Sequence, residues 1–472
     1  MPRIVIMGGG PGGYESALTA RQLGAEVTLI DSEGIGGACV LYDCVPSKTF
    51  IASAGGRTAV LDAADLGIMV SPESVRVDLP TVHGRVNGLA LAQSLDIRER
   101  LELEGVELLN GRARLDDASP GLARHRVTAT LVDGTERSIE ADFVLIATGA
   151  NPRVLDTAVP DGERILTWRQ LYTLTELPEH LIVVGSGVTG AEFASAYTEM
   201  GVHVSLVSSR DRVLPGEDAD AAAVIETVFS ARGSTLVKQA RAASVARDGD
   251  GPDAGVVVTL TDGREVRGSH CLMTVGSVPN TTGIGLENVG VETDRGGFVT
   301  VDRVSRTSVS GIYAAGDCTG VLMLASVAAM QGRIAMWHAL GEGAPPLRLK
   351  SVSSNIFTHP EISTVGVSQA EVDAGTVPAR SLMFPLATNA RAKMLGLSEG
   401  FVKLIVRPAT GIIIGGVVVA PEASELILPI AVAVQNRLTV KELAYSFSVY
   451  PSLSGTITEL GRRLMAYAGD LG

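Results

Sequence analysis

The sequence has 472 residues, enough for about three domains, and contains 54 glycines and 4% aromatic residues. Its net charge of −13 disfavours nucleic acid and anionic membrane surfaces as partners. No apolar run approaches the ~20 residues of a membrane-spanning helix, and the N-terminus lacks the apolar region of a signal peptide. Since four cysteines are also too few for a secreted disulfide scaffold, we expect a cytoplasmic protein with no integral membrane segment.

The first 31 residues read as strand, glycine-rich turn, helix and strand. Residues 4–7 predict a buried strand, residues 14–23 a helix, and residues 26–31 a second strand that ends in an acid. Glycines in this turn let the backbone approach a pyrophosphate at the helix N-terminus, and the acid can accept hydrogen bonds from a ribose. An ordinary tight turn is the alternative. The predicted dinucleotide-binding residues are Gly8, Gly10, Gly13 and Asp31.

Two cysteines follow closely, in the stretch from Gly36 to Lys48. Cys39 and Cys44 have a spacing that, on a helix, places them about one turn apart, so that their sulfurs can meet. We interpret them as a redox-active disulfide held against a flavin. Two structural thiols are one alternative. Zinc is another, but it normally needs two more Cys or His ligands, and the nearest histidine is His83.

The middle of the chain predicts a long polar-faced helix over 82–104, strands over 106–109 and 124–131, and a buried strand that ends at Gly149. Residues 181–207 then repeat the opening unit of strand, glycine turn, helix and strand. An internal repeat of this unit predicts a second dinucleotide site. Its motif glycines are Gly185, Gly187 and Gly190.

The second unit differs from the first where its second strand ends. No acid stands at the ribose position, and the sequence there is Ser-Ser-Arg-Asp-Arg over 208–212. Serines and arginines suit a 2′-phosphate better than a 2′-hydroxyl, so Ser208, Arg210 and Arg212 favour NADPH over NADH. A solvated charged loop is the alternative.

The last third predicts another buried strand, a linker and an interface domain. The strand ends in an acid at Asp317, and a helix is predicted over 325–340. Residues 341–346 are rich in glycine and proline, which is typical of a linker. Residues 350–472 alternate strands with helices, lack a glycine phosphate loop and are predicted to form an interface domain.

Together these motifs resemble the flavoprotein disulfide reductases, which include lipoamide dehydrogenase, glutathione reductase and mercuric reductase. The resemblance covers essentially the whole chain. It implies an α/β fold with two Rossmann-like dinucleotide-binding domains, for FAD and NAD(P), plus a C-terminal α+β dimerisation domain. The implied limits are 1–150 and 280–345 for a split FAD domain, 151–279 for the NAD(P) domain and 346–472 for the interface domain of a homodimer.

The resemblance also implies roles for individual residues. Lys48 and Glu192 would pair near flavin N5, Cys44 would face the flavin, and Cys39 would face the substrate. The implied FAD contacts are Gly8, Gly10, Gly13, Asp31, Gly37, Lys48, Ala113, Thr148, Gly149, Asp317 and Ala325. The implied NAD(P) contacts are Gly185, Gly187, Gly190, Ser208, Arg210, Arg212 and Gly276.

One departure from the family bears on function. Members that reduce disulfides carry a histidine near the C-terminus, paired with a glutamate, as the acid–base for the thiol proton. Here Tyr450 and Gly455 stand at those positions, and no histidine follows His359. Losing a general base typically costs on the order of 10²–10⁴-fold in rate. Tyrosine, with a pKa near ~10, is a poor replacement at neutral pH.

This departure favours direct electron transfer from the reduced flavin to a small acceptor. The segment over 450–455 is similar to that of actinobacterial NAD(P)H:quinone reductases, so we predict an FAD-dependent NAD(P)H:quinone reductase. Tyr450 is included in its catalytic set and would act across the dimer. The alternatives are a lipoamide or low-molecular-weight disulfide reductase that uses Cys39 and Cys44, a metal-ion reductase, and a non-catalytic redox scaffold. No resident metal is predicted.

Overall fold

The computed structural model describes residues 1–117, 125–249, 251 and 253–469. Its helices are α1 (Pro11–Gln22), α2 (Gly37–Leu41), α3 (Cys44–Asp62), α4 (Leu79–Leu103), α5 (Val188–Glu199), α6 (Ala219–Ala231), α7 (Leu286–Val289), α8 (Ala325–Ala339), α9 (Gln369–Asp373), α10 (Ala390–Met394), α11 (Ala423–Leu426), α12 (Leu428–Asn436), α13 (Val440–Tyr445) and α14 (Gly455–Gly469).

The strands are β1 (Arg3–Met7), β2 (Glu26–Asp31), β3 (Glu107–Leu115), β4 (His125–Leu131), β5 (Glu136–Ala141), β6 (Phe143–Ile146), β7 (Ala150–Pro152), β8 (Ile165–Thr167), β9 (His180–Val184), β10 (His203–Val207), β11 (Thr235–Val237), β12 (Ala242–Asp248), β13 (Gly255–Leu260), β14 (Glu265–Gly268), β15 (His270–Met273), β16 (Ser277–Pro279), β17 (Ile312–Ala314), β18 (Ser353–Ile356), β19 (Glu361–Gly366), β20 (Arg380–Pro385), β21 (Phe401–Val406) and β22 (Ile413–Ala420).

The first sheet has the strand order β17-β6-β1-β2-β3-β4-β5. Its pairs from β17 to β3 are parallel, and β3, β4 and β5 pair antiparallel. β1 is almost entirely apolar because a strand in the middle of a covered parallel sheet is buried on both faces. Helices α1 and α8 pack closely beside it, since a Cβ at Gly332 would collide with the Gly12 carbonyl oxygen.

The second sheet repeats the parallel arrangement, in the order β11-β10-β9-β15-β8. A three-stranded antiparallel sheet of β12, β13 and β14 lies between β11 and β15 in the chain. In the sequence, all strands of the second sheet and of the three-stranded sheet lie between β6 and β17, which are neighbours in the first sheet. The chain therefore leaves the first sheet, builds the second, and returns, as the predicted split domain requires; the domain limits themselves stay a prediction.

The third sheet is antiparallel throughout, in the order β18-β19-β22-β21-β20. Its apolar face packs against α12, α13 and α14 through a separate hydrophobic core. A Cβ at Gly416 would crowd Ile430 of α12, which shows how closely the helix approaches the sheet. This α+β layer follows the glycine-proline segment predicted as a linker.

Most predicted elements lie within a few residues of the observed ones. Helix α1 begins earlier than predicted, at Pro11, because proline at the first helical position has no N–H to satisfy and its φ already suits a helix. The prediction that both cysteines of the pair lie on one helix is wrong: Cys39 is in α2, and Cys44 begins α3. Arg124, the predicted start of one strand, lies outside the described residues.

Within the described ranges, no helix is long and apolar enough to cross a membrane.

Candidate functional site

The first glycine turn joins β1 to α1. Gly8 has φ +113°, a conformation that side chains rarely adopt, and a Cβ at Gly13 would collide with the Gly8 carbonyl oxygen. Gly10 is the N-cap of α1 and places no side chain over the first helical N–H groups. The Gly13 N–H donates to the Gly10 carbonyl at 2.8 Å, and an N-terminus without a side-chain cap can bind an anion such as a pyrophosphate.

Asp31 lies at the end of β2, beside this turn. One of its carboxylate oxygens accepts the Gly9 N–H at 2.6 Å, and the other accepts the N–H groups of Glu33 and Gly34 at 2.7 Å. These bonds hold the carboxylate next to the anion site. Since the Gly9 bond uses one lone pair of its oxygen, that oxygen can also accept a ribose hydroxyl, as the sequence predicts.

Three further predicted FAD residues lie in α2, in β3 and at the start of α8. Gly37 has φ +59°, and a Cβ there would lie 2.8 Å from the Gly10 Cα, so the α2 loop packs directly on the turn. Ala113 lies in β3 opposite Ala129 of β4. Ala325 is the first residue of α8, whose N-cap also provides no side-chain cap.

Thr148 and Gly149 follow β6 and are fixed by one residue of the returning chain. The Asn280 side chain donates to the Thr148 carbonyl at 2.9 Å, and the Asn280 N–H donates to the Gly149 carbonyl at 3.0 Å. Gly149 has φ +69°, and a Cβ there would meet nothing within 4 Å. The open space beside Gly149 fits the passage of an extended cofactor along this loop.

The pKa values of two acids in this region, Asp43 and Asp317, are both raised. Burial raises the pKa of Asp317 to about 6, and the carboxylate of Asp43 adds to the rise. Burial also raises the pKa of Asp43, while Lys48 acts in the opposite direction. Asp317 was predicted as an FAD residue, whereas the carboxyl at Asp43 was not singled out in the sequence.

Cys39 and Cys44 are both half-buried free thiols, brought together across the break between α2 and α3. The Cys44 thiol hydrogen-bonds to Cys39, and this bond, burial and the negative charge of Asp43 all raise the pKa of Cys44. Lys48 lowers the pKa of Cys44 but does not offset these effects. In the reduced pair these effects disfavour a thiolate at Cys44.

Lys48 and Glu192 form the predicted pair. The Lys48 Nζ donates to the Glu192 carboxylate at 2.9 Å, and the Glu192 side chain is only 5% exposed. Burial alone would lower the pKa of Lys48, but Glu192, Cys44 and Asp43 outweigh it and raise that pKa. The lysine therefore stays positively charged at neutral pH, next to the cysteine pair.

The second glycine turn has the geometry of the first. Gly185 has φ +114°, a Cβ at Gly190 would collide with the Gly185 carbonyl oxygen, and Gly187 caps α5. A Cβ at Gly187 or at Gly276 would meet nothing within 4 Å, so both glycines border open space. The turn thus offers a second anion site at a helix N-terminus.

The three residues predicted at the 2′-phosphate are in different environments. The Ser208 side chain is fully buried, and its hydroxyl shares a 2.7 Å hydrogen bond with Ser186. The Arg212 guanidinium donates to the carbonyls of Pro215 and Glu217 at 3.0 and 3.3 Å. Arg210 is exposed. Of the three, Arg210 is thus the residue best placed to contact a phosphate from solvent.

Tyr450 lies in an exposed apolar segment between α13 and α14. The exposed fractions are 66% for Tyr445, 106% for Phe447, 77% for Val449 and 85% for Tyr450. Gly455 begins α14. Apolar side chains this exposed indicate a surface that is covered in an assembly.

The structure fits both predicted dinucleotides. Each of the two glycine turns leads into a helix whose N-terminus has no side-chain cap. The first turn lies beside the Asp31 carboxylate, which can accept from a ribose, and the second borders open space at Gly187. When bound, FAD would lie along the residues around α1, and the pyridine nucleotide along those around α5. In the described parts of the chain, no group of three or more His, Cys, Asp or Glu side chains is arranged to hold a metal ion.

Comparison with protein families agrees with this geometry. Residues 2–332 match the model described as pyridine nucleotide-disulphide oxidoreductase, and residues 352–460 match the dimerisation domain of the same family. The chain belongs to the pyridine nucleotide-disulphide oxidoreductase family. The resemblance, fold class and enzyme class predicted from the sequence are thereby confirmed, and the family's cofactors are FAD and NAD(P)H.

Individual relatives cover nearly the whole chain. An NAD(P)H dehydrogenase (quinone) from Mycobacterium tuberculosis is 64% identical over 98% of this chain and 94% of its own length. A dihydrolipoyl dehydrogenase from Chlorobaculum parvum is 33% identical over 97% and 95%. The crystal structure of LpdA from M. tuberculosis superposes with a TM-score of 0.94 at 63% identity, covering 98% of this chain and 100% of that one.

A more distant structure shows the same fold. The HOCl-induced flavoprotein disulfide reductase RclA from Escherichia coli has a TM-score of 0.84 at 23% identity, covering 98% of this chain and 99% of that one. At this identity the likeness concerns the fold alone.

Sequence reasoning missed a cationic contact on Tyr42, one of the four residues between the two cysteines. The Arg169 guanidinium lies 4.2 Å from the centre of the Tyr42 ring and donates to Asn151 at 2.7 Å. Arg169 also forms an ion pair with Glu33. No local motif marks Arg169, because its partners come from distant parts of the chain.

Proposed function

We propose that this protein is an NAD(P)H:quinone oxidoreductase that works as a twofold dimer. The observation that carries this proposal is the segment around Tyr450, where the family's disulfide-reducing members have a histidine base and its glutamate. The segment contains Tyr450 and Gly455 instead, and no histidine follows His359. A dimer would cover the exposed side chains of this segment and place Tyr450 at the partner's acceptor site.

A quinone acceptor also fits a site without that base. Disulfide exchange needs a thiolate and a group that manages its proton, and the segment around Tyr450 supplies no histidine for this task. A quinone takes up electrons without any thiol intermediate. The lack of a histidine in this segment therefore favours an acceptor that does not depend on thiol chemistry.

Each group of residues has a distinct task in this proposal. When bound, FAD would accept hydride from the pyridine nucleotide and supply electrons to the acceptor. The glycine turns at Gly8 and Gly185 would hold the two pyrophosphates, and Arg210 would favour NADPH. The charge on Lys48, fixed by Glu192 at 2.9 Å, would stabilise negative charge that develops beside it.

The name of the relative at 64% identity, NAD(P)H dehydrogenase (quinone), supports the acceptor class. Reduction of lipoamide or a small disulfide is a second candidate, favoured by the hydrogen-bonded pair Cys39 and Cys44 and by relatives named dihydrolipoyl dehydrogenase.

The deciding experiment measures NADPH oxidation with menadione and with oxidised lipoamide, in the wild type and in Cys44→Ser. We expect fast menadione turnover that survives the substitution and negligible lipoamide turnover. Strong lipoamide turnover that Cys44→Ser abolishes would show that the cysteine pair is the working site and would overturn the proposal. Absence of turnover with both acceptors would instead favour a non-catalytic role.

A further inference from the structure

One segment of the C-terminal domain is bonded directly to the Lys48–Glu192 pair. The Phe357 N–H donates to the second carboxylate oxygen of Glu192 at 2.9 Å. The Phe357 ring also lies 4.9 Å from the Lys48 Nζ, in a cation–π contact. Glu192 therefore uses one oxygen for the lysine and the other for the backbone of residue 357.

The same segment is held by the next turns of α5. The His359 N–H donates to the Ser195 hydroxyl oxygen at 3.0 Å, and the Ser195 hydroxyl donates to Glu199 at 3.0 Å. The His359 Nδ1 lies 3.8 Å from the other Glu199 oxygen. Residues 192, 195 and 199 share one face of the helix because they are three and four positions apart.

Glu199 is itself fixed from two further sides. Thr58, near the end of α3, donates to its carboxylate at 3.1 Å, and Arg57 donates to its carbonyl at 2.7 Å. Arg232 lies 3.7 Å from its carboxylate. Helices α3 and α5 are therefore joined at two places: by Lys48 and Glu192 at one end, and by Thr58 and Glu199 at the other.

We propose that Ser195 and Glu199 are positioning residues for the Lys48–Glu192 pair. They hold residues 357–359 against α5, and the Phe357 amide and ring then fix the orientation of Glu192 and Lys48. This inference rests on the proposed function, in which Lys48 stabilises developing charge at the hydride-accepting site. It assigns a task to the polar row on α5, which consists of Glu192, Ser195 and Glu199. Burying such polar side chains costs free energy unless they have hydrogen-bond partners.

The proposal makes a specific statement about Lys48. If residues 357–359 are no longer bonded to Ser195, Glu192 loses the Phe357 amide that orients one of its oxygens. Lys48 then loses a fixed partner and its cation–π contact with the Phe357 ring. The lysine should then spend more time unpaired, which makes its amine more accessible to an acylating reagent. A purely structural role of Ser195 would leave the reactivity of Lys48 unchanged.

The experiment uses the holoenzyme and two readouts. Acetylation of Lys48 by sulfosuccinimidyl acetate is followed by peptide mass spectrometry, with the exposed Lys350 as internal reference. Reduction of the bound flavin by NADPH is followed in a stopped-flow spectrometer before any acceptor is added. A defect at this step is thus separated from a failure of quinone reduction, so the two proposals can fail independently.

We expect Ser195→Ala to raise Lys48 acetylation about 3-fold and to slow flavin reduction about 10-fold, with the Kd for NADPH unchanged. Glu199→Gln, which keeps an acceptor for Ser195, should have a smaller effect than Glu199→Ala. Thr198→Val is the matched control, because it removes a hydroxyl of the same helix that bonds to Ala194 and Ser234 (2.7 and 2.8 Å). Wild-type acetylation and reduction rates in Ser195→Ala, or equal changes in Thr198→Val, would overturn the inference.

Discussion

Asp43 adds to the effects of the Cys39 bond and of burial, which are the two larger causes of the raised pKa of Cys44. It directly precedes Cys44, and its negative charge raises the pKa of that thiol. The same carboxylate raises the pKa of Asp317. A single acid in this loop therefore disfavours the thiolate and also adds negative charge next to a residue predicted to contact FAD.

Replacing Asp43 tests this account. Asp43→Asn removes the negative charge, so the pKa of Cys44 should fall, although burial and the bond to Cys39 should keep it above its ordinary value. We expect alkylation of Cys44 by iodoacetamide at pH 8, mapped by mass spectrometry after reduction, to become about 3-fold faster. Asp62→Asn, an exposed acid at the far end of α3, is the control and should change nothing. An unchanged Cys44 rate in Asp43→Asn would contradict the account.

At the scale of elements, the residues of the loop after β10 lie in different environments although they form one sequence pattern. Ser208 bonds to Ser186 of the second glycine turn, Arg212 bonds to a carbonyl of its own loop, and Arg210 faces solvent. The loop's conformation is stabilised by the first two residues, which leaves the third free to select a ligand. Of the two arginines in this loop, only Arg210 therefore offers its charge to a nucleotide.

The two arginines form a matched pair for measurement. Arg210→Ala should raise the KM for NADPH about 10-fold and leave the KM for NADH nearly unchanged, because only NADPH carries the 2′-phosphate. Arg212→Ala should affect both nucleotides equally, since its guanidinium supports the loop rather than the ligand. Steady-state kinetics with each nucleotide decides this. Equal KM changes for both nucleotides in Arg210→Ala would remove the residue from the 2′-phosphate site.

At the scale of the whole molecule, a buried ion pair joins the third sheet to helix α6. Lys403 in β21 and Asp218, the N-cap of α6, are each only 3% exposed, and their nearest atoms are 2.8 Å apart. Breaking such a pair leaves a buried charge without a partner. The contact therefore helps to fix the C-terminal domain relative to the nucleotide-binding part of the chain.

Lys403→Met should lower stability strongly, by about 3–5 kcal/mol, because Asp218 would stay buried and unpaired. Lys350→Met is the matched control: Lys350 pairs with Glu371 at the surface, where its side chain is 62% exposed, and such pairs are worth about 0–1 kcal/mol. Urea midpoints of both variants give the comparison. Similar midpoints in the two variants would show that the buried pair does not fix the domains.

The dimer leads to a further prediction. Tyr450→His combined with Gly455→Glu restores the acid–base residues of the disulfide-reducing members, so lipoamide reduction should rise at least about 10-fold. Tyr445→His introduces a histidine nearby in the same exposed region and should have no such effect. NADPH oxidation with lipoamide is the measurement. If the double variant gains nothing, the missing base does not explain the choice of acceptor.

The sequence by itself determined the fold class, both glycine turns and the absence of a histidine after His359. These are local or repeated patterns: a glycine needs its φ within one turn, and the absence of a histidine can be read without coordinates. For the same reason the strands around Gly8 and Gly185 and the helix over 82–104 were predicted to within a few residues.

Only the tertiary structure decided which side chains meet. It separated Cys39 and Cys44 onto two helices, committed Arg212 to its own loop, and brought Asp43 near Asp317 across 274 residues of chain. It also placed residues 357–359 on the polar row of α5. Contacts between distant segments depend on how sheets and helices pack, and neither residue type nor spacing along the chain specifies that packing.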